Sequence, residues 1–121
     1  DGTQLLITVD CGISSRKEIA YANSFGIDCI VTDHHTPPNS LPECIGILNP
    51  KLPGCKYPYN DLAGVGVVYK LIQALAKKNN SADNLTEYLD LVALGTIADV
   101  VPITGENRIF TYHGLKQLEN T

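Results

Sequence analysis

No stretch of the 121 residues approaches the roughly 18 consecutive apolar residues a bilayer span needs, so no membrane-spanning segment is expected. There is no basic run, and the formal charge is −4. Contact with nucleic acid therefore has to come from local groups rather than from the field of the whole chain. The four cysteines, at positions 11, 29, 44 and 55, form no C-x-x-C pair, which argues against a zinc ribbon. Cys29 lies in an apolar run and reads as a small core residue. Cys44 and Cys55 flank proline-rich loops and could pair in an oxidising compartment. Reduced, non-catalytic thiols and a cytoplasmic setting are the expectation, because a chain with this much apolar pattern needs no staples. No internal repeat and no low-complexity tract occurs. The chain opens at Asp1 without Met and runs almost at once into a strand, which reads as a piece of a longer protein; the lack of a signal peptide then carries no information. What remains is ordinary: 44% apolar residues and a length suited to one compact domain.

Histidine is scarce too, and two of the three are adjacent, in Asp28-Cys29-Ile30-Val31-Thr32-Asp33-His34-His35. β-Branched and apolar residues run into the polar triplet, and Thr36-Pro37-Pro38 ends regular structure, so the pattern predicts a buried strand over 29–32. Upstream, Leu5-Leu6-Ile7-Thr8-Val9 predicts another strand, ending at Asp10. Between them Gly12 marks a turn, Ser15 and Glu18 have capping-box spacing for a helix starting near Arg16, and Gly26 is its expected stop. This is a β-α-β unit, so the strands should be parallel, about 4.8 Å apart if adjacent, and should end on one edge. Open α/β sheets place ligands at that edge.

Residues 36–61 hold six of the seven prolines and read as loop, interrupted by a short third strand at Ile45-Gly46-Ile47-Leu48. Asp61 is the expected N-cap of a helix with apolar positions Val65, Val68, Ile72 and Leu75. Gly64 and Gly66 in its first turn weaken it, so either something approaches the backbone there or the helix start packs tightly on the sheet. Asn79-Asn80-Ser81 is a polar break. A helix from Thr86 to Ile97 is apolar on nearly all sides, which predicts burial, and Asp99 follows it. Thr104 to Arg108 reads as a polar turn, leading to Ile109-Phe110 and a last amphipathic piece, Gly114 to Leu118. The fold class is α/β, a parallel sheet with flanking helices.

Three carboxylates, Asp10, Asp33 and Asp99, and two imidazoles, His34 and His35, thus follow apolar segments. Such a donor set suits Mn²⁺, Mg²⁺ or Zn²⁺, and its oxygen-rich character leans to Mn²⁺ or Mg²⁺. Singly, each has a plainer role: Asp10 could cap the following helix, and Asp99 could pair with Arg108. Adjacent residues on a strand point in opposite directions, so His34 and His35 cannot both aim at one metal without a bend.

Val9-Asp10-Cys11-Gly12-Ile13-Ser14, Thr32-Asp33-His34-His35 and Leu94-Gly95-Thr96-Ile97-Ala98-Asp99-Val100-Val101-Pro102 resemble the second, third and fourth motifs of the DHH phosphoesterases. The run Asp61 to Leu71, with Glu106-Asn107-Arg108, is similar to the single-strand-specific 5′→3′ DNA exonucleases within that family. The resemblance implies a two-metal site, usually Mn²⁺, in the whole protein: Asp10 bridging, His34 and Asp99 holding one ion, His35 on the scissile phosphate, and Asp33 orienting a histidine. It also implies single-stranded DNA as substrate, a role in recombination and repair, and single-strand-binding or replication and repair proteins as partners. The family's first motif and C-terminal domain are missing, so residues 1–121 read as part of a DHH domain, weak or inactive alone. Alternatives are a family phosphodiesterase or pyrophosphatase acting on small nucleotides, and a non-catalytic scaffold in a replication complex.

Overall fold

A computed structural model of the chain describes residues 2–119. The chain divides into two compact units between Asn60 and Asp61. The first unit holds β1 (Leu5–Val9), α1 (Arg16–Ser24), β2 (Asp28–Thr32) and β3 (Gly46–Leu48). The three strands form a parallel sheet in the order β1-β2-β3, with Val9 opposite Thr32 and Thr32 opposite Leu48. The central strand takes the core: Cys29 and Val31 are fully buried and pack with Ile19 of α1, flanked by Ala22, Cys44 and Ile47. Burial, then the neighbouring Cys44 and Asp28, push the Cys29 thiol up, which keeps it protonated and inert at neutral pH. All four cysteines are free. β1, at the sheet edge, is largely exposed despite its apolar sequence.

The sequence signals for α1 hold with one exception. The helix starts at Arg16, but Ser15 makes no side-chain capping bond; the turn is closed instead by the Ser15 amide donating to the Gly12 carbonyl, 3.0 Å. It ends at Ser24 with Phe25 as its C-cap, and Gly26 follows with a φ of +73° that suits glycine; the Gly26 amide donates to the Asn23 carbonyl and that of Ile27 to Ala22. That pair of bonds is the double closure of a Schellman turn.

The second unit contains α2 (Gly64–Lys78), a 3₁₀ turn (Leu85–Tyr88), α3 (Leu89–Ala98) and α4 (Gly105–Leu118). Asp61 is not the N-cap of α2; Ala63 is, without a side-chain cap, because Leu62 and Ala63 are themselves buried ahead of the helix. The buried face of α2 carries Gly66, Val67 and Tyr69, whereas Ile72 and Leu75 of the expected stripe are exposed. Gly66 is explained locally: a Cβ there would lie 3.2 Å from the Leu62 side chain. In α3 only Val92, Ala93 and Thr96 are buried, and Leu91, Leu94 and Ile97 are exposed, so the all-round burial expected from its composition is not found. The polar stretch after Thr104 is not a free turn but the start of α4. Asn107 is drawn into the interior there, and Lys70 Nζ donates to Glu106 Oε1 at 3.0 Å. No helix among the described residues is long and apolar enough to cross a membrane.

Candidate metal centre

The three parallel strands end on one edge, and each delivers a polar residue there. Asp10 follows β1, Asp33-His34-His35 follow β2 and Asn49 follows β3. The ladder continues into these residues: the Asp10 amide donates to the Thr32 carbonyl and the Asp33 amide to the Leu48 carbonyl, both at 3.0 Å. Asp10 then turns left-handed, with φ +62°, a conformation Asp tolerates better than most residues. Gly12, at φ +105°, completes the reversal into α1; a Cβ on it would lie 2.8 Å from Thr8 Oγ1.

Asp33 organises the edge from inside, at 1% exposure. Its Oδ2 accepts the Ile13 amide at 2.9 Å. Its Oδ1 accepts the His34 amide at 2.7 Å, the His35 amide at 3.2 Å and the His35 ring at 2.7 Å. A carboxylate only accepts, so His35 Nδ1 carries the proton and Nε2 is left as the other working atom of the ring. Burial alone pushes the Asp33 carboxyl up, but the hydrogen bonds from Ile13, His35 and His34 outweigh it, and the net shift is downward from 3.8.

Those same bonds bend the chain. Because Oδ1 gathers both following amides, strand alternation stops at Thr32, and the two imidazoles lie side by side with centroids 4.5 Å apart. The expectation that His34 and His35 point in opposite directions is therefore not met; the bend it allowed for is present. His34, almost fully buried, places Nε2 3.1 Å from Asp10 Oδ1. One donor atom each from Asp10, His34 and His35 lies within 4.8 Å of the others. A carboxylate oxygen and two imidazole nitrogens at this spacing fit a small divalent cation by their chemistry.

Asp99 belongs to the second unit, where it closes α3 and is exposed rather than buried. A residue the sequence did not single out is Asn49. It is buried; its Nδ2 donates to the His35 carbonyl at 2.9 Å, and its Oδ1 accepts the Lys51 amide. The signal was available: an Asn-Pro step at the end of a parallel strand stands on the same edge as the histidines.

Replacing Asp33 by Asn should lower the stability of the first unit by about 2–3 kcal/mol at neutral pH, since charge-assisted bonds to a buried carboxylate are lost. The sign of the pH dependence follows from the lowered pKa. The wild-type contribution is complete above the unfolded-state value, about 3.9, and is lost as pH falls through the folded value. Denaturation curves between pH 7 and 2 with chelator present should show the wild type and Asp33→Asn converging in acid; a constant gap would refute it.

Such a sheet, with carboxylate and imidazole donors at the carboxyl ends of its strands, places the first unit in the class of open parallel α/β domains that bind ligands at that edge. The model of the DHH family, N-terminal domain, matches residues 3–96, and the chain belongs to that family. It is 48% identical, over 97% of its length, to the single-stranded-DNA-specific exonuclease RecJ of Salmonella typhimurium, of which it covers 22%. It is also 48% identical to the Bacillus subtilis exonuclease of the same name, over 99% of this chain and 15% of that protein. The chain thus spans about a fifth or less of these relatives. A crystal structure of exonuclease RecJ bound to manganese aligns with a TM-score of 0.81 and 38% identity, over 93% of this chain and 28% of that one. The RecJ of Thermus thermophilus, in complex with Mn²⁺, aligns at 0.83 and 37%, over 98% of this chain and 18% of that one.

Proposed function

We propose that these residues are part of the DHH domain of a metal-dependent exonuclease that degrades single-stranded DNA from the 5′ end, in the cytoplasm, during recombination and repair. The observation that carries this reading is the Asp10–His34–His35 group at the sheet edge, in a chain whose relatives are named single-stranded-DNA-specific exonucleases. Asp10 and His34 would hold Mn²⁺, or Mg²⁺ in its place, with Asp99 as a further ligand and Asp10 shared between two ions in the whole protein. The chemistry such a cation supplies when bound is Lewis-acid stabilisation of charge on a phosphoryl group. The chain's own residues do the rest. Asp33 holds the proton on His35 Nδ1 and so fixes the ring. Asn49 fixes the His35 backbone. His35, with its ring exposed and its Nδ1 held by Asp33, would face the scissile phosphate. The His34 ring, nearly buried, is confined beside Asp10.

The full-length protein should release mononucleotides from 5′-labelled single strands in Mn²⁺ and leave blunt duplex intact. Equal digestion of both, or hydrolysis only of short oligonucleotides or pyrophosphate, would contradict the assignment.

A further inference from the structure

The geometry points to Asn107 as a positioning residue for Asp99, an inference that rests on the reading of Asp99 as a metal ligand. Asn107 stands in the first turn of α4 and is fully buried. Its Nδ2 donates to two carbonyls, Asp61 at 2.6 Å and Pro102 at 3.0 Å. Carbonyl oxygens only accept, so the nitrogen of the carboxamide must face them. Its Oδ1 is buried with no hydrogen-bond partner. A buried amide with one side unsatisfied is costly and is kept where its geometry is needed.

What the amide holds is the segment that leaves Asp99. The Asp99 amide donates to Gly95, closing α3, and the Val100 amide donates back to Ile97 at 3.2 Å. Val100 is then left-handed, with φ +57°, a conformation that a β-branched residue adopts only when its surroundings impose it. The next fixed point is the Pro102 carbonyl, two residues further on, in the grip of Asn107. The residue itself is anchored through its backbone, since its own carbonyl accepts Thr111 Oγ1 at 2.8 Å. Two N–H groups on one nitrogen match two converging carbonyls; Asp has none to offer, and Ala removes both of these bonds.

The test uses the full-length protein, with Mn²⁺ affinity by calorimetry, kcat on single-stranded DNA at saturating Mn²⁺, and thermal melts with chelator present. Asn107→Ala, and Asn107→Asp should the first not fold, are expected to weaken Mn²⁺ binding about 10–100-fold, as loss of a group orienting a ligand does. The same change in an Asp99→Asn background should add almost nothing, because the ligand it positions is gone. A lower melting temperature with unchanged Mn²⁺ affinity would make Asn107 a scaffold residue only and overturn the inference. Full additivity of the two substitutions would overturn it too. An unchanged affinity in Asp99→Asn alone would instead remove the premise that Asp99 is a ligand, and the inference would fall with it.

Discussion

In the full-length protein, His35→Ala should cut kcat about 10²–10³-fold while leaving Mn²⁺ affinity nearly intact, the usual effect of removing one donor to developing charge. His34→Ala should do the reverse: metal affinity falls, and excess Mn²⁺ restores part of the rate. The asymmetry comes from the surroundings of two adjacent residues. His34 is nearly buried with Nε2 3.1 Å from Asp10, whereas His35 is exposed and has its Nδ1 committed to Asp33 at 2.7 Å. Each ring has a donor atom within 4.8 Å of an Asp10 carboxylate oxygen, so a rate measurement has to divide the roles between them. A Mn²⁺ titration of the rate for each variant, with thermal melts as control, separates them. If added Mn²⁺ rescues His35→Ala and not His34→Ala, the roles are exchanged; if both variants only melt earlier, both histidines are structural.

The largest effect on stability is expected at Gly114. In an unconstrained helix interior, Gly→Ala stabilises by up to about 1 kcal/mol. At Gly114, a Cβ would fall on the Leu89 carbonyl oxygen and within 2.5 Å of Ala93 Cβ, where α4 packs against α3. Backbone cannot yield as a side chain does, so overpacking wins, and Gly114→Ala should destabilise the second unit by at least about 2–3 kcal/mol. Gly46→Ala is the control, since nothing lies within 4 Å of the added methyl. Chemical denaturation of the two variants decides it; a stabilised Gly114→Ala would show that the α3–α4 approach is looser than described.

The first unit was legible in sequence because each signal there is local. An apolar run ended by Asp10, a glycine stop at Gly26 and a second run ended by a polar triplet suffice, and parallel pairing then brings Asp10 beside His34. The bend at Asp33 was not legible, because it depends on one carboxylate oxygen gathering two amides and a ring. The start of α4 escaped for a related reason. Gly105-Glu106-Asn107 has the composition of a turn, and only the bonds from Asn107 to Asp61 and Pro102 reveal that its polar residue is an interior one. In α2 and α3, apolar residues stand on more than one face, so periodicity alone could not choose between Val67 and Ile72 as the buried side.

The most direct test of the metal centre is calorimetric titration of Mn²⁺ into the full-length protein and its Asp10→Asn variant. Only neutral imidazole and ionised carboxylate ligate, so wild-type affinity should fall as the solution is acidified. At neutral pH, Asp10→Asn should bind Mn²⁺ at least about tenfold more weakly, because it exchanges an anionic donor for a neutral one beside His34. Equal Mn²⁺ affinity in the two proteins would contradict the assignment of Asp10, His34 and the sheet edge as the metal site.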